Sequence, residues 1–245
     1  MRKKILITGS NGKLANRIIS ILKKKDYFII GCDKFNSNLK GLDFFKKVNL
    51  ISEKEVDSFL KEIVKKNLIP DIIINNAAID SVPSDKKISD GLNYDEFDDI
   101  FKVNVKSPLI ISNFLIKCWI KNNIKGRIIN ISSIYSEVSP DPNIYQKGFI
   151  KNILYGASKS SLNNISRQLA VIFSSNNILV NSICFSGIKS EIQNDEFIKN
   201  YSNRIPIKRL MNLEEIDSVI NFLIDEKNTY TTGSIINVDG GYTSI

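Results

Sequence analysis

The stretch Ile5-Leu6-Ile7-Thr8-Gly9-Ser10-Asn11-Gly12-Lys13-Leu14-Ala15 passes from an apolar run, through two glycines, into a segment of helical period. This pattern predicts a strand that turns tightly into a helix, where backbone amides and the helix dipole can hold a pyrophosphate group. Lys13 and Ala15 stand where the three-glycine nucleotide fingerprint often has glycine. The turn alone therefore leaves a nucleotide site and a purely structural turn both open.

Short runs rich in Ile and Val alternate with helical segments along the rest of the chain. We expect strands at residues 5–8, 27–33, 44–50, 71–75, 127–131, 178–184 and 234–238, and helices at residues 16–24, 53–66, 95–120, 158–173 and 213–224. The alternation predicts an α/β fold, a Rossmann-type doubly wound parallel sheet of about seven strands with helices on both faces. No internal repeat or linker divides residues 1–245, so we expect a single domain that carries every site.

The composition indicates a soluble globular protein without a membrane span. Of the 245 residues, 42% are hydrophobic and 24% are charged, close to the averages for such proteins. No apolar run approaches the ~20 residues that cross a bilayer, and no signal peptide is evident. The three cysteines, Cys32, Cys118 and Cys184, lie far apart with no Cys-x-x-Cys spacing, which argues against a disulfide framework and a metal site. We therefore expect a cytoplasmic location.

The net charge of +8 admits two interpretations. Lys and Arg clusters can bind nucleic acid, whereas a genome rich in A/T codons yields many Lys, Asn and Ile residues without any such partner. The basic residues are scattered and are not interleaved with aromatic residues, which favours the second interpretation and no nucleic-acid partner. The chain has no His, so acid–base chemistry must use Tyr, Lys, Cys or carboxylates.

Asp33 ends the second predicted strand, about 20 residues beyond the glycine turn. A carboxylate at this position can accept hydrogen bonds from both ribose hydroxyls of a dinucleotide and repels a 2'-phosphate. This favours NAD. The adjacent Lys34 offers a countercharge and leaves NADP as the alternative.

Three further residues suggest acid–base chemistry at the opposite end of such a site. In Tyr155-Gly156-Ala157-Ser158-Lys159 a phenol and an ammonium lie one helical turn apart, and the cation is expected to lower the pKa of Tyr155. Ser133 ends a predicted buried strand, where its hydroxyl can steady a developing oxyanion or simply close a turn. A Tyr-x-x-x-Lys motif alone is weak, because chance produces it readily.

Two polar stretches follow the fourth and fifth predicted strands. Residues 80–93 and 136–152 contain Pro83, Pro140 and Pro142. Ligands of open α/β sheets bind beyond the carboxyl ends of the strands, so these stretches are candidates for substrate contact. Ordinary surface insertion is the alternative.

With these residues assembled, the chain resembles the classical short-chain dehydrogenase/reductase family from Ile5 to the C-terminus. The matching motifs are Asn75-Asn76-Ala77-Ala78, Asn104, Ser133, Tyr155 with Lys159, Arg209-Leu210, and Thr232-Gly233 with Val238-Asp239-Gly240-Gly241. The resemblance implies hydride transfer between a nicotinamide and a carbonyl or alcohol carbon. It implies Tyr155 as proton donor or acceptor, Lys159 as ribose ligand and pKa modifier, Ser133 as oxyanion partner and Asn104 as support for a water relay.

The resemblance also implies a cofactor site and an assembly. The expected cofactor contacts are Gly9, Ser10, Asn11, Lys13, Leu14, Asp33, Asn49, Leu50, Asn76, Ala77, Ala78, Tyr155, Lys159 and Ile188. A homo-oligomer, tetramer or dimer, is expected, in agreement with an apolar helix around Leu162, Ile165, Leu169 and Ile172. The partner of the site itself is a small-molecule substrate.

The chain departs from the family pattern in places. Phe185-Ser186 replaces the usual Pro-Gly, Asn49-Leu50 replaces an Asp-Val pair, and more residues than usual separate Ser133 from Tyr155. This inserted stretch, with Pro140, Asp141 and Tyr145, resembles members from bacterial surface-glycan and flagellin-modification pathways, which suggests a sugar or nonulosonate-type substrate.

Alternatives stay open at this point. Thr8-Gly9-x-x-Gly12-x-x-Ala15 also suggests a sugar-nucleotide epimerase or dehydratase of the extended branch, although the chain is short for that branch. The altered glycine turn and Phe185-Ser186 are compatible with a non-catalytic dinucleotide-binding regulator. A 3-oxoacyl-type reductase is a further alternative.

Overall fold

The computed structural model describes residues 2–37, 40–80, 94–145, 149 and 151–245. The strands of these residues form one parallel sheet in the order β3-β2-β1-β4-β5-β6-β7. They are β1 (Lys4–Thr8), β2 (Phe28–Asp33), β3 (Phe44–Lys47), β4 (Ile72–Asn75), β5 (Arg127–Ser133), β6 (Leu179–Phe185) and β7 (Ile235–Val238). The predicted doubly wound parallel sheet is confirmed.

Helices cover both faces of this sheet. They are α1 (Lys13–Lys24), α2 (Glu53–Lys65), α3 (Phe97–Phe101), α4 (Ser107–Asn122), α5 (Ile153–Phe173), α6 (Asp195–Arg204) and α7 (Ile216–Ile224). In the part of the chain that the structure describes, no helix has the length and apolar character that a membrane span requires.

Side chains of a central strand enter two separate cores. Ile5 and Ile7 of β1 pack with residues of α1 and α7, whereas Leu6 between them packs with residues of α2, α4 and α5. All three are fully buried. This explains why the strands read as continuous apolar runs, since helices exclude water from both faces of a parallel sheet.

Polar side chains beneath the sheet edge tie β4, β5 and β6 to α5. Asn75 Nδ2 donates to Asn130 Oδ1 at 2.7 Å, and Asn130 Nδ2 donates to Ser166 Oγ at 2.7 Å. Ser166 Oγ lies 2.8 Å from Ser182 Oγ. A buried polar group without a partner is costly in free energy. These hydrogen bonds therefore favour one position of α5 relative to the strands. It thereby fixes the helix that carries Tyr155.

The predicted helix at residues 95–120 is interrupted. Between α3 and α4, Lys102–Lys106 form a π-helical segment that contains Asn104. Pro108 follows in the first turn of α4 and has no amide hydrogen to donate to the carbonyl four residues earlier, that of Asn104. Apolar periodicity continues through the interruption, so the sequence pattern predicts one continuous helix.

Of the other helices, α5 and α6 differ most from the sequence prediction. Helix α5 begins at Ile153, five residues before the predicted start, because the Asn152 side chain accepts from the amide of Leu154 at 2.9 Å. Helix α6 was not predicted, although Asn194 caps it by accepting from Phe197 and acidic residues occupy its first turn.

We predict that Gly126→Ala destabilises the protein by about 1–3 kcal/mol, because overpacking forces a rigid core to shift. A Cβ at this position would lie 2.1 Å from Cε3 of Trp119, a fully buried ring whose Nε1 donates to Pro70 O at 2.6 Å. Urea unfolding followed by the fluorescence of Trp119, the only tryptophan of the chain, measures the change.

The control is Lys125→Ala, at the exposed neighbouring position. Equal free energies of unfolding for the two variants would contradict the assigned contact.

Candidate active site

A cleft of about 750 Å³ opens along the carboxyl ends of the strands. Its lining comes from the segments that follow β1, β2, β3, β4, β5 and β6, together with residues of α5 and α6. All these segments meet at one edge because the strands are parallel and their chains leave the sheet in the same direction.

The glycine turn lies at one end of the cleft. Gly9 has a φ of +63°, and a Cβ there would approach Ala77 Cα to 2.8 Å, so both conformation and space require glycine. Helix α1 begins at Lys13 with no acidic residue in its first turn, which leaves its N-terminus suited to an anion. Gly9, Asn11, Lys13 and Leu14 line the cleft.

Ser10 does not line the cleft, in contrast to its expected place among the cofactor contacts. The residue is fully buried, and its amide donates to Cys32 O at 3.1 Å. The tight turn places Ser10 against Gly31 of β2, which a residue pattern alone does not reveal.

Asp33 stands at the end of β2 and lines the cleft with Lys34. Its carboxylate accepts from the amide of Asn11 at 3.1 Å and from the amide of Phe35 at 3.1 Å. These two bonds orient the carboxylate beside the glycine turn. The arrangement suits a ribose with free hydroxyls next to a pyrophosphate on α1.

The segment after β4 forms the floor of the same region. Asn76 Nδ2 donates to the carbonyls of Thr8 and Gly9 at 3.0 and 3.1 Å, which joins the ends of β4 and β1. Asn76, Ala77 and Ala78 line the cleft, as do Asn49 and Leu50 after β3. The structure thus brings the expected contacts that follow β1, β2, β3 and β4 to one surface.

Ser133, Tyr155 and Lys159 meet at the other end of the cleft and line it. Ser133 closes β5, and its Oγ accepts from the amide of Tyr135 at 3.2 Å. Lys159 is 2% exposed, and its Nζ donates to Ile131 O at 2.7 Å and lies 5.8 Å from the centroid of the Tyr155 ring. The hydroxyl, phenol and ammonium therefore form one polar cluster.

Asn104 is buried and does not line the cleft. Its Oδ1 accepts from the amide of Ile79 at 2.7 Å, and its Nδ2 donates to Ile79 O at 2.9 Å and to Ser158 Oγ at 3.0 Å. The π-helical segment places this side chain between the end of β4 and α5. Asn104 therefore holds the segment after β4 against the helix that carries Tyr155 and Lys159.

Burial sets the protonation of this cluster. Removal from water raises the pKa of Tyr155, the charge of Asp80 raises it further, and the hydrogen bond with Ser133 opposes both. Burial lowers the pKa of Lys159 to about 8. Among the protein's own groups the pKa of Tyr155 is therefore raised, contrary to the expected lowering, because loss of hydration is the largest contribution to the shift.

The remaining wall follows β6. Phe185, Ser186 and Ile188 line the cleft, and Ile188 pairs with Met211 in an isolated parallel bridge. Phe185, where the family has proline, is 6% exposed and belongs to the core beneath β6. Phe185 and Ser186, which replace Pro-Gly, thus still form part of the wall of the cleft.

At the Tyr155 end, sequence reasoning missed Tyr135, Phe197 and Tyr201, whereas the two polar stretches named as candidates for substrate contact include the other lining residues. The cleft there is lined by Asp80, Tyr135, Tyr145, Lys151, Phe197 and Tyr201. Tyr145 belongs to the stretch between Ser133 and Tyr155, and its hydroxyl lies 2.8 Å from that of Tyr135. The Asn194 cap was a signal for α6, which supplies Phe197 and Tyr201. Of the two polar stretches, residues 81–93, 146–148 and 150 lie outside the described residues.

A family model described as enoyl-(acyl carrier protein) reductase matches residues 33–243. A curated relative, the 3-oxoacyl-[acyl-carrier-protein] reductase FabG of Buchnera aphidicola subsp. Schizaphis graminum, is 31% identical over 98% of this chain and 97% of its own.

Two solved structures have the same fold over nearly the whole chain. A short chain dehydrogenase from Leptospira borgpetersenii with bound NAD+ has a TM-score of 0.89 and 26% identity, over 99% of this chain and 93% of that chain. ElxO with NADP bound has a TM-score of 0.84 and 25% identity, over the whole of both chains. The chain belongs to the short-chain dehydrogenase/reductase family of nicotinamide-dependent oxidoreductases, which act on CH–OH and C=O groups.

Proposed function

We propose that this oxidoreductase binds NAD in preference to NADP and exchanges a hydride with a carbonyl or hydroxyl carbon of a polar substrate. One observation carries the proposal. Gly9 and Asp33 lie at one end of a single cleft, and Ser133, Tyr155 and Lys159 line its other end. A dinucleotide along this cleft would present its reactive ring to the polar cluster.

The residues of the cleft fit the cofactor. The space beside Gly9, which a side chain would fill, and the N-terminus of α1 would hold the pyrophosphate. Asp33 would accept from the adenosine ribose, and Lys159 would donate to the ribose next to the nicotinamide. When bound, the nicotinamide supplies or accepts the hydride.

The chain's own residues handle the proton. Ser133 binds the substrate oxygen and holds it beside Tyr155, since both side chains line the same cleft. In the reducing direction the Tyr155 phenol gives its proton to that oxygen as negative charge develops on it. Lys159 provides a positive charge beside the phenolate that remains. Asn104 is a positioning residue that keeps Ile79 against α5, and it would support a water relay from Lys159.

For the substrate we propose a sugar or nonulosonate-type molecule, as in the surface-glycan and flagellin-modification subgroup. The hydroxyls of Tyr135 and Tyr145, together with Lys151, give the Tyr155 end hydrogen-bonding groups among aromatic rings. A 3-oxoacyl thioester is the second candidate, favoured by the 31% identity to the acyl-carrier-protein reductase. NADH consumption with free sugars, nucleotide-activated sugars and 3-oxoacyl thioesters separates the two, and cofactor that stays unchanged during conversion would indicate an epimerase.

We further propose that residues 1–245 act as one domain in a homo-oligomer. Leu162 and Leu169, two of the four apolar residues expected at an interface, are buried within this chain's own core. Val171 and Ile172 of α5 remain 79% and 59% exposed and are candidates for a subunit contact. A cytoplasmic location stays a prediction of the sequence.

We predict that Tyr155→Phe lowers turnover by a factor on the order of 10² to 10⁴, because the phenylalanine has no proton to transfer. Folding and NADH binding should stay nearly unchanged, since the ring is kept. Steady-state NADH oxidation and fluorescence titration measure the two effects. Tyr230→Phe makes the same chemical change at a fully exposed position and should have no effect. Near wild-type turnover of Tyr155→Phe would refute the assigned role.

We predict that the wild-type protein binds NADH more tightly than NADPH, and that Asp33→Asn reduces this preference about 10- to 100-fold. The amide removes the negative charge but keeps an oxygen for the amide of Asn11. Asp26→Asn, at an exposed carboxylate, is the control. Tighter binding of NADPH to the wild type would mean that Lys34 dominates the recognition.

A further inference from the structure

A second cation lies at the Tyr155 end of the cleft and has no part in the mechanism above. Lys151, in the segment before α5, lines the cleft, and its Nζ is 5.1 Å from the centroid of the Tyr155 ring. The same atom is 2.6 Å from Oδ2 of Asp80, in the segment after β4. An ammonium and a carboxylate from distant parts of the chain therefore meet next to the phenol.

Lys151 is unusually withdrawn from solvent. Its side chain is 14% exposed, whereas the lysines of the other ion pairs among the described residues are 38% or more exposed. Loss of hydration opposes the charge, and a single pair with a half-exposed carboxylate contributes little to stability. The stability of the fold therefore does not explain why a lysine occupies this position.

The two lysines near Tyr155 differ in what they can reach. Lys159 is 2% exposed and donates to the backbone carbonyl of Ile131, near the carboxyl end of β5. Lys151 is more open and lies among aromatic residues of the substrate end, including Tyr145. Low surrounding polarity strengthens a charged hydrogen bond to a bound molecule.

We propose, on the basis of the function proposed above, that Lys151 binds an anionic group of the substrate and that Asp80 orients its ammonium. The substrate is then a hydroxy acid or oxo acid, or a phosphorylated equivalent, whose anionic group lies a short carbon fragment away from the reacting oxygen at Tyr155. Lys151 thus determines specificity, whereas Lys159 serves the cofactor and the phenol.

The test uses the full-length protein saturated with NADH. Propionate, methyl phosphate and the neutral match propionamide are titrated while the fluorescence of bound NADH is followed. We expect an anion to bind the wild type at least about tenfold more tightly than propionamide. Lys151→Met should lose about 10- to 100-fold of that affinity, and Lys61→Met, which breaks an exposed pair with Asp57, should lose none. The preferred anion distinguishes a carboxylate substrate from a phosphorylated one.

Other results would overturn the proposal. One is that the wild type binds the anions and propionamide with equal affinity. Another is that Lys151→Met binds the anions as tightly as the wild type does. Binding of propylamine that Asp80→Asn abolishes would instead assign the pair to a cationic substrate. A wild-type protein that binds no NADH would overturn the proposed function together with this inference, so the two failures are distinguishable.

Discussion

Parallel pairing of β4, β5 and β6 is the constraint on which the site depends. The register sets Asn75 opposite Asn130 and Ser133 opposite Phe185, so the three strands end at one edge. Their backbone hydrogen bonds cannot slip by one residue without moving each side chain from the core on one face of the sheet to the core on the other. The segments that follow the strands therefore converge, and the glycine turn, Asp33, Ser133 and the wall after β6 border one cleft.

Ionisable groups at the carboxyl ends of these strands are buried, and the burial shifts their pKa values. Lys159 has a lowered pKa because it is buried, and Tyr155 has a raised one for the same reason. The Tyr155 phenol is therefore neutral, and it lies beside a lysine whose pKa is near neutral pH. This arrangement suits proton donation by the phenol in the reducing direction. Asn104 contributes indirectly, since it holds the end of β4 against α5 from within a π-helical segment.

The sequence predicts the fold well, because the fold follows local patterns. Ile-rich runs and helical periods determine the sheet, and Asp33 and Tyr155 with Lys159 are recognisable from spacing. The rest depends on contacts between distant residues. Ser10 is buried against β2, Pro108 interrupts a helix whose apolar pattern continues, and Asp80 meets Lys151 from 71 positions away. Burial also reversed the expected shift of the Tyr155 pKa, since hydration is a property of the folded surroundings.

The pH dependence of carbonyl reduction by NADH tests the account most directly. The ammonium of Lys159 is present below its pKa of about 8 and lost above it, while Tyr155 stays protonated over that range. Turnover should therefore be constant at lower pH and fall as the pH rises through about 8. In Lys159→Arg the fall should move to higher pH, because guanidinium keeps its charge. Turnover that rises with pH through this range, and does so equally in both proteins, would contradict the account.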